Sequence, residues 1–292
     1  MRSAARRGER RFALALFLPA FLLLVATTTL PLVYLVWSST QRLDLSMPWM
    51  SGFAGLANYA QLGADARFWS SLWLTFVYTG TTVALQVLIG LGLALLVLQV
   101  KTGQAILRIG AILPIVLAPV VAGLFWRSLV LAPDFGIMDF ITRALGLGSY
   151  NWLGDPQLAL VSVIAIHTWQ WTPFAFLVLL ASLAALPPDL YEAARLDRAG
   201  PWQRFRHITL PTLRPTLLFG AIITSIGYLQ FFEEAFVMTS GGPLDATRSI
   251  TFFTYDQFGF GNHGYAAAAS YLLFLAVVVL TFIQFKLLGE KD

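Results

Sequence analysis

The sequence predicts an all-α membrane protein of six transmembrane helices. Three observations carry the prediction: little charge, long uncharged stretches, and a regular alternation of Lys and Arg between loops. Charged residues make up 12% of the 292, about half the ~25% of a typical soluble domain. Apolar residues reach 58% and the mean hydropathy is +0.72. A chain of this length can bury a soluble core, but this composition leaves too little charge to surround one. The remaining apolar surface therefore faces lipid.

Six stretches carry no Lys, Arg, Asp or Glu: 12–41, 68–100, 109–126, 156–188, 215–232 and 264–285. A helix needs about 20 apolar residues to cross the ~30 Å hydrocarbon layer. Four stretches exceed that length, and the third and fifth stand near its lower limit. The first follows Arg2, Arg6, Arg7, Arg10 and Arg11, a basic tail over 1–11 that invites comparison with a signal peptide. Its apolar run is longer than the ~7–15 residues of a signal core and no small-residue cleavage site follows it cleanly, so a retained helix is expected. Residues 12–292 then form a single transmembrane domain.

The N-terminal tail, the 101–108 turn, the 195–214 loop and the C-terminal tail together hold 14 of the 19 Lys and Arg. Basic residues favour the cytoplasmic side, so both termini and those two loops are expected inside. Asp44, Asp65, Asp134, Asp139, Asp155, Asp245 and Asp256 then lie outside. A pI near 9.5 suggests nucleic acid as a partner. The basic residues form short blocks between apolar runs rather than one basic face, which argues against it. No cysteine is present, which removes disulfides, thiolate catalysis and cysteine-based zinc sites.

Pro114 and Pro119 interrupt the third stretch and Pro173 the fourth. Each proline lacks a backbone donor and clashes with the carbonyl four residues back, which a membrane helix tolerates where neighbouring protein or water satisfies the freed group. Such breaks read equally as cavity linings and as packing bends. Between these stretches Ile137, Met138, Phe140, Ile141, Ala144 and Leu145 recur at helical spacing, with Asp139 and Arg143 on the other side and Gly146 and Gly148 beyond. This predicts a short amphipathic helix on the outer surface, a lid or packing element.

The loop 188–211 is the most informative segment. Asp189 can cap a helix whose first turn holds Glu192, and Arg195 can pair with Glu192 from three residues on. Gly200 is expected to end that helix, Pro201 to start a second, and Pro211 to limit it. Tyr191, Leu196, Trp202, Phe205 and Ile208 are too many large apolar groups for a solvated hairpin and call for a partner surface. The alternative is an ordinary cytoplasmic hairpin.

Glu192, Ala193 and Ala194 with Ile208, Leu210 and Pro211 resemble the "EAA" loop of permease subunits in binding-protein-dependent ABC importers. Gly55, Leu56, Ala57, Asn58 and Tyr59 are similar to that family's "GLxNY" segment, and Thr239, Ser240, Gly241, Gly242 and Pro243 with Thr247 to its "T-x-GGP…T" loop. The run from Tyr265 to Ser270 resembles the small-residue start of its last helix. The likeness extends over residues 11–288 and points to the maltose/lactose/cellobiose type of carbohydrate-uptake permease. It implies a type I ABC importer permease fold, multi-pass in a bacterial-type cytoplasmic membrane. It also implies a coupling loop, formed by Tyr191, Glu192, Ala193, Ala194, Arg195, Asp197, Gly200, Phe205, Ile208, Leu210 and Pro211, that docks into a groove on an ATP-binding subunit. The implied partners are a second homologous permease, two ABC ATPase subunits, an extracytoplasmic sugar-binding protein and membrane lipid. One departure stands out: Arg198 occupies a position that is usually glycine in the family.

No G-x-x-x-x-G-K-[ST] phosphate cradle, HExxH or GxSxG occurs, and His167, His207 and His263 have no ligand spacing. A non-enzymatic subunit without its own cofactor is expected, with ATP bound by its partners. Sugars need aromatic faces and a few placed polar groups, and two clusters offer them. Trp169, Gln170 and Trp171 lie beside His167 and Pro173; Tyr228, Gln230, Phe231, Glu233 and Glu234 lie near the outer end of the fifth stretch. Ionisable groups within a span are costly and are functional candidates by default. Interfacial water for the glutamates and an aromatic belt for the tryptophans are the alternatives. At the level of function, a permease for another solute remains open, as does a secondary carrier that uses the glutamates as coupling carboxylates.

Overall fold

The computed structural model describes the backbone of residues 2–289 and the side chains of residues 15–286; the side chains of the basic tail 1–11 lie outside the described residues. The chain is helical almost throughout and divides into two compact units, one of residues 1–66 and 254–275, the other of residues 67–253 and 276–292.

In the first unit, α1 (Arg2–Ser39) is followed by a short antiparallel hairpin of β1 (Gln41–Arg42) and β2 (Gly52–Phe53), then α2 (Ala57–Ala64). Gly55 turns the chain at φ +57°, a conformation costly for side chains other than glycine. The Asn58 amide donates to the carbonyls of Ser39 and Gln41 at 2.8 and 2.9 Å, closing the end of α1 onto α2. Where α13 (His263–Gly289) begins, the Gly264 backbone presses against the Gln41 carbonyl, and the Tyr265 hydroxyl donates to Asp65 at 2.7 Å. The "GLANY" residues and the start of the last helix are thus turn and packing devices of one unit.

The second unit is built on α3 (Ala66–Gln99), α7 (Pro156–Ala184) and α10 (Leu210–Tyr228). In lipid, helices are held together by close packing and interhelical hydrogen bonds rather than by exclusion from water. Gly90 supplies the close approach of α3 and α7: a Cβ there would stand 2.9 Å from the Phe176 nitrogen and 3.0 Å from the Ala175 Cβ. Leu91, Ala94, Phe176, Leu179, Leu183 and Leu213 fill the core beside this crossing. Asp155 caps α7 by accepting from the Gln157 and Leu158 amides, and Pro173 is carried inside the helix without ending it.

Among the described residues, five helices are long and apolar enough to cross a membrane. The third sequence stretch is instead a pair bent by 100°. Its first arm is α4 (Gln104–Ile112) with a tight turn over Leu113–Val116. Its second is α5 (Pro119–Phe125), widening into a π-helical turn over Trp126–Val130. Ala118, held extended by the following proline, makes the corner. The predicted amphipathic helix is α6 (Ile137–Ala144), closed by Gly146 at φ +75°.

Candidate functional site

The 188–211 segment folds as an elbow, with four corrections to the expected detail. Its first helix, α8 (Pro188–Leu196), has Pro187 at its cap position and no side-chain cap, so Asp189 lies in the first turn rather than at the cap. Proline at the first helical position presets φ and needs no donor there. The helix ends before Gly200: Arg198 itself takes the left-handed conformation at φ +57°, its amide donates to Arg195 and the Ala199 amide to Ala194, a complete glycine-type C-terminal motif. Gly200, at φ −69°, opens α9 (Pro201–Arg204) instead, and its amide donates to Gln203 Oε1 at 2.8 Å. Nor does the second helix stop at Pro211. A π-helical turn over Phe205–Thr209 carries α9 directly into α10, one continuous run over Pro201–Tyr228. Glu192 and Arg195 are exposed and form no ion pair among the described residues.

The Tyr191 hydroxyl and Thr209 Oγ1, 2.8 Å apart, tie the two arms of the elbow. Ala194 is buried and Phe205 packs onto the α3–α7–α10 core, while Leu196 and Trp202 stand in the open. Ile208 is half-buried; Ala193, Asp197, Leu210 and Pro211 are exposed. The elbow therefore presents large apolar side chains outward and is rooted in the membrane core by Phe205.

The two expected path clusters meet around His167. His167 Nδ1 lies 2.7 Å from Glu234 Oε1, their side chains 6% and 3% exposed. Glu234 belongs to α11 (Glu233–Thr239), a short helix set off from α10 by the unwound residues 229–232. Around the imidazole pack the rings of Tyr78 (5.4 Å), Tyr228 (4.4 Å), Trp171 (6.1 Å) and Phe231 (6.4 Å), and the Tyr228 hydroxyl donates to Gln86 Oε1 at 2.6 Å. Tyr228, Phe231 and Glu234 thus face inward, whereas Gln230 and Glu233 point away from the chain. Gln170 is buried, and its amide donates to the Leu117 carbonyl at 2.8 Å, satisfying an acceptor freed at the corner of the bent pair. Trp169 and Trp171 are half-buried, and Trp169 meets Trp126 edge-on at 5.3 Å. Tyr78 and Gln86 were missed. Gln86, an amide in the interior of an uncharged stretch, carried the signal that would have found it.

The loop after α11 is shaped by its threonines, glycines and charges. Thr239 Oγ1 and Thr247 Oγ1 lie 2.6 Å apart, and Thr247 also donates to the Gly242 carbonyl at 3.0 Å. Gly241, at φ +80°, leaves its Cβ position against the Phe252 ring. Asp245 takes Arg248 at 2.7 Å and Arg67 at 3.1 Å. Partial burial raises its pKa, but the hydrogen bonds and charge of Arg248, then of Arg67, outweigh this and hold the carboxyl below its ordinary value.

Long apolar helices with buried polar contacts, a bent apolar helix pair and an exposed greasy elbow define a multi-pass membrane protein. Residues 67–289 match the family of the binding-protein-dependent transport system inner membrane component, and the chain belongs to it. The trehalose/maltose transport system permease of Thermococcus litoralis is 32% identical over 284 residues, 97% of this chain and 96% of that protein. The trehalose transport system permease of Mycobacterium tuberculosis (strain CDC 1551) is 33% identical, over 99% and 92% of the two chains. In fold, the chain is similar to one in the crystal structure of a bacterial ABC transporter involved in alginate import, with a TM-score of 0.81, 21% identity and 98% of both chains covered.

Proposed function

We propose that this chain is one of two membrane-spanning subunits of an ATP-driven, binding-protein-dependent sugar importer in a bacterial-type cytoplasmic membrane. The observation that carries this reading is near full-length likeness to trehalose and maltose permeases in a chain whose elbow offers Leu196 and Trp202 to a partner. On this reading the bent pair counts as one span, giving six, and both termini lie inside with the elbow, as the basic residues favour. ATP is bound by the partner subunits, and the chain itself takes no cofactor.

The mechanism follows from what is rooted where. Two ATPase subunits close beneath the elbows of the two permeases, and Phe205 passes that movement into the α3–α7–α10 core. The core is close-packed, so it switches between arrangements rather than deforming smoothly. A loaded external binding protein releases sugar into a cavity between the permeases, lined on this side by outward-pointing groups such as Gln230 and Glu233; hydrolysis resets the inward-open form.

The test is uptake by the reconstituted four-subunit complex with its binding protein. Trehalose or maltose entry should require ATP. Trp202→Asp and Leu196→Asp, both at exposed positions, should abolish ATPase assembly while leaving the permease folded and monodisperse. Uptake that survives ATP depletion and collapses with a protonophore would identify a secondary carrier and sink the proposal.

A further inference from the structure

We propose that α6 is an interfacial membrane anchor whose occupant is the lipid at the end of the third span. The helix is amphipathic, and its carboxylate Asp139 and hydroxyl Thr142 face inward. Asp139 is buried, pairs with Arg143 at 2.7 Å and accepts from the Ser149 hydroxyl. Arg143 also reaches Asp134 at 3.1 Å. These bonds fix the helix and its closing turn with Phe135, Ile137, Phe140, Ile141, Leu145 and Leu147 pointing away from the protein, from 41% exposed at Ile141 to 77% at Phe135. Asp139 is consumed on the inner side, and the partly exposed Arg143 and exposed Asp134 neutralise each other.

Position selects lipid as the occupant. The residue before the helix, Gly136, lies so close to the end of the third span that a Cβ would stand 2.8 Å from the Val130 carbonyl oxygen. An eight-residue helix is about 12 Å long, so all of α6 lies within that reach of the last membrane-embedded turn, whatever its direction. Tyr150 and Trp152 follow directly, residue types that settle at the headgroup level. A water-soluble protein that docks and leaves would return six large apolar side chains to water in each cycle, whereas transient interfaces are no more apolar than ordinary surface. An amphipathic helix lying in the interface has no such cost.

The chain has no cysteine, so Phe140→Cys and, separately, Leu145→Cys each give one spin-label site in the complex reconstituted into lipid nanodiscs with cysteine-free partners. Collision with oxygen, which partitions into lipid, is compared with collision with a water-soluble nickel chelate. Leu244→Cys on the outer loop and Phe282→Cys on α13, both exposed, give the water and lipid references. Both α6 labels should show an oxygen-to-nickel ratio several-fold above that at Leu244 and on the lipid side of the scale. A ratio matching Leu244 would place the face in water, and exclusion of both reagents would place a protein partner on it; either result overturns the anchor. The readout needs no transport, so it fails or succeeds independently of the proposed function.

Discussion

Replacing Glu234 by alanine removes one half of a buried pair and leaves the other without a partner. With Glu234 ionised, the His167 Nδ1–H donates to it across 2.7 Å. His167 Nε2 already has no partner among the described residues, so the variant strips the imidazole of its remaining hydrogen bond. An orphaned buried polar group costs about 1–3 kcal/mol, and breaking a buried pair about 3–5 kcal/mol. Glu234→Ala should therefore destabilise by about 3 kcal/mol. Glu234→Gln keeps an acceptor in place and should lose no more than about 1 kcal/mol. At roughly 2–4 °C per kcal/mol for a chain of a few hundred residues, the alanine variant should melt about 6–12 °C lower, followed by monodispersity of the purified protein after heating. If the loss is the pair itself, His167→Ala combined with Glu234→Ala should cost little more than the worse single change, a coupling of about 0.5–3 kcal/mol. Strictly additive losses, or an alanine variant as stable as the parent, would refute the pairing argument.

Three further outcomes are expected. Arg198→Gly should relieve a left-handed arginine, a gain on the order of 1 kcal/mol once glycine's extra chain freedom is subtracted, and should slow hydrogen exchange at residues 198 and 199 about fivefold; faster exchange would contradict the motif. Gly90→Ala should sharply lower the yield of folded protein, because the new Cβ meets the Phe176 and Ala175 backbone, while Gly92→Ala, which meets nothing within 4 Å, should be tolerated. Asp245 has a folded pKa below its ordinary 3.8, so its contribution to the order of the outer loop is present above that value and is lost as pH falls through the folded one. Protease resistance of that loop in the parent should decline in strong acid, and Asp245→Asn should already show the weakened loop at neutral pH.

The apolar helices were legible because lipid sets a length and forbids charge, two properties that can be counted residue by residue. The proline pair at 114 and 119 announced an interruption, but its 100° bend is met at the corner by Gln170 from another helix, a long-range contact that periodicity does not encode. The elbow was readable as two helical arms, yet its turn was not: glycine is the usual left-handed residue, so Gly200 attracted the assignment that Arg198 fulfils. That Glu233 is exposed and its neighbour Glu234 buried is likewise fixed only when the chain unwinds after Tyr228 and α11 restarts at Glu233.

The widened turn over Phe205–Thr209 has a geometric consequence. Each residue of an ordinary helix advances about 100° around the axis, so one surplus residue in a turn throws the two ends out of phase by about that amount. Trp202, below the surplus, and Leu213, above it, therefore keep different azimuths from those a seamless rod would impose. Tightening this one turn would rotate the membrane-embedded shaft about its own length, converting an axial shove from below into torque.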